Sequence, residues 1–270
     1  MLARHATAIF FALSYFWAWA LWGYWIPAMP PGGLVITPAF LASALAGGLG
    51  PSVAAIAVTA ATGGWKGVGD LLGGVLRWRA DVRWYAIALL LVPAITTLSL
   101  IIQMPILGPP VWGDLAMLAP LAVAWPIMAA LGEEFGWRGF ALPRLAGRFG
   151  VLAASLIVGL AWGLWHLPAD YIALKAYGWW FVPAFVASGP LLLTAHAVIM
   201  GWLWARTARN LLLMLVYHFS ITSSAIIAPT VTTSPAAAVA AAFISAALFW
   251  AVALWLIVFR RGDFSAGQSS

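Results

Sequence analysis

Charged side chains divide this chain into uncharged runs of 61 residues (5–65), 30 (84–113), 18 (115–132), 21 (149–169), 30 (176–205) and 50 (210–259). A helix crosses a bilayer with roughly 20 apolar residues. Such runs exclude an ordinary water-soluble domain, and the composition agrees: 64% of residues are apolar, 7% are charged and the mean hydropathy is +1.00. The expected fold class is therefore all-α, a polytopic membrane helix bundle. A single transmembrane domain should occupy residues 1–264, with a disordered tail at 265–270.

The two longest runs contain internal breaks. Pro27, Pro30, Pro31, Gly32 and Gly33 split the first, and the stretch from Pro229 to Pro235 splits the last. About eight transmembrane helices follow, near Ala6 to Trp25, Ala39 to Ala61, Trp84 to Gln103, Leu115 to Leu131 and beyond, Val151 to Leu167, Phe181 to Ala205, Leu211 to Ala228, and Ala236 to Phe259. The second carries a break signal at Gly50-Pro51. The apolar run after Arg4 is long for a signal-peptide core and reads as an uncleaved first span.

Cytoplasmic loops carry the excess of Lys and Arg. Arg4, Lys66, Arg77, Arg79, Arg83, Arg138, Arg144, Arg148, Arg206, Arg209, Arg260 and Arg261 fall on one side of this scheme, and Lys175 alone on the other. Both termini are therefore expected in the cytoplasm. The mixed segment Gly67 to Arg83 should lie along that interface, and Trp22, Trp25, Trp78, Trp84, Trp179, Trp180 and Trp204 should sit at span ends, where indoles favour the headgroup level. The net charge of +6 forms no basic cluster interleaved with polar readers, so nucleic acid is not an expected partner. The lipid bilayer is. Zero cysteines exclude disulfides, thiol catalysis and thiolate metal sites.

Ionisable side chains within spans are costly and call for a reason. Those present are Glu133, Glu134, His166, His196 and His218. With ~1.5 Å of rise per residue, His218 lies roughly 12 Å in from Asn210 and His166 roughly 24 Å in from Gly150. Glu133 shares that layer if its helix runs past Arg138 to Ala141 or further, bent near Pro143, with Arg138 inside the protein. Glu134 and Arg138, four apart, share a face and can pair. Glu133 points elsewhere without a local cation, and two adjacent carboxylates in low dielectric cannot both stay charged uncompensated. Glu133 thus suits proton exchange with water. His218 and Thr222, one turn apart, can both donate to an oxyanion. His196, with no motif around it, reads as an interhelical hydrogen-bonding residue. Ser220, Ser223 and Ser224 lack the Gly-x-Ser-x-Gly setting of a nucleophile.

These residues resemble the CPBP family of intramembrane proteases, the CAAX-processing type II or bacteriocin-immunity (Abi) family. Glu-Glu-x-x-x-Arg matches Glu133, Glu134 and Arg138. Phe-x-x-x-His matches His166 with Trp162 in the aromatic place. His followed by a polar residue matches His218, with Thr222 where the family has Asn, Asp or Ser. Order and spacing agree over about Gly50 to Thr222, within an expected protease core of 50–228. The resemblance implies an endopeptidase acting on membrane-associated peptides or proteins in a cavity open to the cytoplasm. Eukaryotic relatives trim prenylated Cys-aliphatic-aliphatic-x proteins, and bacterial ones are associated with bacteriocin self-immunity. Abundant Arg and Ala point to a GC-rich bacterial genome and an inner-membrane protein without prenylated substrates.

In the expected chemistry Glu133 and His166 activate a water, while His218 and Thr222 stabilise the oxyanion, supported by Glu134, Arg138 and Trp162. Metal-free chemistry is favoured by the resemblance, and Glu133, His166 and His218 are the ligands if zinc takes part. Two other classes compete: a non-catalytic immunity or chaperone protein of the same fold, and a proton-coupled transporter. The second would carry repeated halves, which this sequence lacks.

Overall fold

The structure is a computed structural model that describes residues 2–30, 34–230 and 234–264. Pro31, Gly32 and Gly33 of the first expected break, 231–233 of the last, and the expected tail 265–270 lie outside the described residues. The described chain is helical: α1 (Leu2–Gly23), α2 (Pro38–Gly48), α3 (Gly50–Gly73), α4 (Val82–Leu107), α5 (Leu115–Phe149), α6 (Val151–Trp165), α7 (Leu167–Leu174), α8 (Phe181–Val186), α9 (Leu192–Arg206), α10 (Leu211–Ile227) and α11 (Pro235–Phe259).

Small polar residues start many of these helices, as orphan N–H groups at a helix N-terminus require. The side chain of Thr37 accepts from Phe40 N, Asp81 from Arg83 N, Asp114 from Ala116 N and Met117 N, Asn210 from Leu213 N, and Ser234 from Ala237 N. Each cap precedes an apolar run, so local chemistry and bilayer partition agree on the boundaries. Among the described residues five helices are long and apolar enough to cross a membrane, and α2 with α3 form a sixth candidate bent by 41°. The break between them falls beside Gly50-Pro51, as expected. The shorter apolar helices α6 and α10 occupy two further expected spans. The protein is thus a polytopic helical membrane protein.

Two backbone features position the centre of the bundle. Gly150, at φ +81°, joins α5 directly to α6 in a conformation that L side chains rarely adopt. Where α5 crosses the α2–α3 bend, a Cβ on Gly132 would lie 2.7 Å from Gly48 O, and one on Gly136 2.6 Å from Pro51 O. Small residues at such crossings let backbones approach, since lipid supplies no hydrophobic drive for helix association.

Helix α5 continues through Arg138 to Phe149, as the depth argument requires. It carries a π-helical turn at Phe135–Ala141, just before the place where a bend is expected near Pro143. The expected interfacial segment is a helical arm, kinked at Gly64 (φ +64°), on which Trp65, Leu76 and Trp78 are exposed. Trp179 is also exposed, but Trp22, Trp84 and Trp204 are buried rather than lipid-facing. Trp84 packs edge-on against Trp202, and Trp22 against Trp165. Their large rings are taken up by interhelical packing, which span-end position alone does not reveal.

Candidate active site

Glu133 and Glu134 are the last regular α-helical residues of α5 before its π-helical turn. Every residue from Glu133 to Arg138 is buried. A helix buried on all sides lies inside a bundle, and π-helical turns recur at functional sites. The pair expected from four-residue spacing forms: Arg138 Nη1 donates to Glu134 Oε1 at 2.8 Å, with both side chains shielded from solvent. The same oxygen is 2.7 Å from His218 Nδ1 on α10. His218 Nε2 then lies 3.9 Å from Glu133 Oε1. Ionised Glu134 can only accept, so His218 carries its proton on Nδ1 in this bond.

Glu133 lacks a cation of its own but is not bare. Trp162 Nε1 on α6 donates to Glu133 Oε2 at 2.6 Å, and Trp137 Nε1 to the same atom at 3.4 Å. Two indoles hold one oxygen, leaving Oε1 toward His218. Sequence reasoning names Trp162 as a supporting residue without its donor role and misses Trp137. The signal for Trp137 is its place four residues after Glu133, the interval that links Glu134 to Arg138. Trp162 also lies beneath the Arg138 guanidinium, 4.3 Å from Cζ to its ring centroid, which steadies both groups.

His166 sits at the α6–α7 junction, its Nδ1 2.9 Å from Trp162 O and its ring edge-on to Trp165 at 4.8 Å. A carbonyl can only accept, so Nδ1 donates and Nε2 keeps a lone pair. His166 and Glu133 line one cavity of about 190 Å³, together with Trp22, Phe40, Trp125 and Ile172. Apolar walls with a few convergent polar groups are the usual make-up of a small-molecule or substrate site.

The structure therefore gathers Glu133, Glu134, Arg138, Trp162 and His218 into one cluster, in which two hydrogen-bonded groups meet through the 3.9 Å His218–Glu133 contact and the Arg138–Trp162 stack, and sets His166 on the same cavity as Glu133. Thr222 lies one turn beyond His218, partly buried, with no hydrogen bond to the cluster. Ser220 and Ser223 donate to Leu89 O and Ala122 O. His196 Nδ1 is 3.1 Å from the Tyr217 hydroxyl, the interhelical bond expected of it.

Among the described residues no three His, Asp or Glu side chains converge closely enough to hold a metal ion. Within the set considered for zinc, His218 Nδ1 faces Glu134, His166 Nδ1 faces a carbonyl and Glu133 Oε2 is held by indoles, so a metal would have to use His218 Nε2, His166 Nε2 and Glu133 Oε1.

Residues 115–224, which include every catalytic candidate, match the family model of type II CAAX prenyl endopeptidase Rce1-like. A CAAX prenyl protease 2 from Methanococcus maripaludis is 28% identical over 102 residues, covering 35% of this chain and 36% of the relative. The match thus spans about a third of that protein's length.

Proposed function

Because residues 115–224 form a domain of the Rce1-like type II CAAX prenyl endopeptidase (CPBP) family, we propose that this protein is an intramembrane endopeptidase hydrolysing peptide bonds in or next to the bilayer. The observation that carries the reading is Glu133 facing a shared cavity with His166 while its Oε1 stands 3.9 Å from His218 Nε2. Eight spans with both termini cytoplasmic complete the proposal. With Arg138 inside the bundle, the other eleven cations of the richer side still outweigh Lys175.

Charge balance sets the resting state. Ionised Glu133 and Glu134 with Arg138 and a protonated His218 sum to zero, the arrangement that low dielectric favours over a net buried charge. A water hydrogen-bonded to Glu133 Oε1 and the free Nε2 of His166 is then oriented toward a scissile carbonyl. Glu133 takes a proton as the water oxygen bonds to the carbonyl carbon. His218 Nε2–H donates to the resulting oxyanion, with Thr222 as a second donor candidate on the same helix. Collapse breaks the C–N bond, and Glu133 returns its proton to the leaving amine. Glu134 and Arg138 hold His218 in register.

The test is a comparison of protein termini in membranes from cells lacking the protein, complemented with wild type or with Glu133→Gln. Termini that appear with wild type and vanish with Glu133→Gln are expected. An identical set in both would remove the protease and leave the non-catalytic reading.

A further inference from the structure

Three helical faces shape the cavity beside Glu133 in the same way. On α5, Trp125, Ala129 and Glu133 recur at intervals of four and all line it. On α2, Phe40, Ala44 and Gly48 do the same. His166, Ala169 and Ile172, spaced by three from the α6–α7 junction onward, make the third wall. Residues three or four apart share one helix face. Each face therefore carries an alanine one turn from a larger group: Ala129 between Trp125 and Glu133, Ala169 between His166 and Ile172, and Ala44 next to Phe40. The cavity is the space that these short side chains leave.

Its volume of about 190 Å³ is below the roughly 300–1,000 Å³ of pockets that enclose a whole ligand. An apolar cavity of about 150 Å³ takes up one benzene ring, and a water occupies about 30 Å³ of liquid. One large side chain and one water therefore fill it, next to the carboxylate and imidazole proposed to activate that water. Its walls are fixed in advance. Trp22 Nε1 donates to Ala44 O at 3.2 Å and Trp165 Nε1 to Ser14 O at 3.1 Å, and the two rings meet edge-on at 4.6 Å between centroids. With those N–H groups spent, both indoles offer the cavity ring surface, which suits edge and face contacts with an apolar or aromatic guest. Among the described residues that line it, none is Lys or Arg, and Glu133 disfavours a second carboxylate at its side.

We propose that this cavity is a specificity pocket. It takes one large apolar side chain, that of leucine or phenylalanine, from a residue flanking the scissile bond, and Ala44, Ala129 and Ala169 set the size it accepts. The cleavage beside that side chain rests on the endopeptidase reading; the fit of the side chain does not.

The test fills the pocket from its own wall. Ala129→Leu adds an isopropyl group one turn from Glu133 and replaces none of the catalytic candidates. Cavity filling commonly stabilises, so the variant's Tm should equal or exceed that of wild type. Purified protein in detergent is given a series of apolar peptides identical but for one position, occupied by Gly, Ala, Leu, Phe or Asp. Pocket methylenes discriminate by roughly 10–200-fold each, so wild type should cleave beside Leu or Phe with a kcat/KM higher by roughly tenfold or more than beside Gly, Ala or Asp. Ala129→Leu should reverse that order toward Gly and Ala. Equal preferences in the two proteins overturn the proposal. A second measurement needs no turnover: Glu133→Gln protein is irradiated with the same peptide carrying a diazirine analogue of leucine. Crosslinks to Phe40, Trp125 or Ile172 that vanish when Ala129→Leu is added are expected. Crosslinks elsewhere, or ones that Ala129→Leu leaves unchanged, overturn the proposal. Pocket crosslinks without cleavage of any peptide by wild type would sink the protease alone.

Discussion

His218 Nδ1 and Arg138 Nη1 converge on one atom, Glu134 Oε1, at 2.7 and 2.8 Å. Glu134 therefore couples a helix-local ion pair to an imidazole 84 positions away in sequence. Removing its charge strands Arg138 in a site 2% exposed. Glu134→Gln should cost about 3–5 kcal/mol, the usual penalty for breaking a buried pair. Thermal unfolding in detergent checks this, and a Tm equal to wild type would contradict it.

Glu133→Gln is expected to behave in the opposite way. The amide oxygen can still accept from Trp162 and Trp137, so stability should change by under about 1 kcal/mol. Hydrolysis should fall by roughly 10²–10⁴-fold, the contribution of a positioned general base. Side-by-side unfolding and cleavage assays separate the two carboxylates, and equal losses of stability would refute the division of labour.

Trp162 supplies an N–H where the family pattern has Phe. Trp162→Phe keeps a ring beneath Arg138 but deletes the 2.6 Å bond to Glu133. A hydrogen bond to a charged group is worth about 1.5–3 kcal/mol. The expected result is a kcat lower by roughly tenfold or more at similar KM. A change confined to KM would argue that the indole serves substrate binding instead.

Backbone crossings give a packing prediction. Gly136→Ala forces a methyl to within 2.6 Å of Pro51, and overpacking costs typically about 1–3 kcal/mol. Gly147→Ala, on the same helix but facing open space, should stabilise by up to about 1 kcal/mol through helix propensity. Opposite signs of the Tm shift are expected from two identical substitutions.

Asp263, beyond the last membrane helix, accepts from Arg260 Nε at 2.8 Å, Trp202 Nε1 at 3.1 Å and Arg206 Nη1 at 3.2 Å. Burial by itself raises its pKa, but these hydrogen bonds and the two guanidinium charges together hold it below the usual carboxylate value. A lowered folded-state pKa contributes stability that is complete above the unfolded value, about 3.9, and is lost as pH falls through the folded one. Asp263→Asn should therefore lower the Tm at pH 7, and its difference from wild type should shrink below about pH 4. A difference that persists unchanged at pH 3 would assign the effect to packing.

Much of the site is legible in one dimension. Glu133, Glu134, Arg138, His166 and His218 stand out because charge is rare among apolar residues, and a constant rise per residue places them at one depth. The passage of α5 beyond Arg138 follows from the same arithmetic. Gly50-Pro51 marks the break between α2 and α3, and the polar caps mark helix starts, since these are short-range effects of backbone chemistry.

Depth along a helix is a property of its own residues, whereas rotation about its axis and choice of neighbour depend on how all the helices pack. For that reason the bilayer pattern predicts Trp22 and Trp84 at span ends, yet the folded chain turns them inward. The bond from Trp162 to Glu133 joins residues 29 apart on different helices, and the π-helical turn that helps aim Glu133 has no sequence mark of its own. The cavity beside Glu133 is likewise decided by which helices meet there, since α1, α2, α5 and α6 all contribute to its wall.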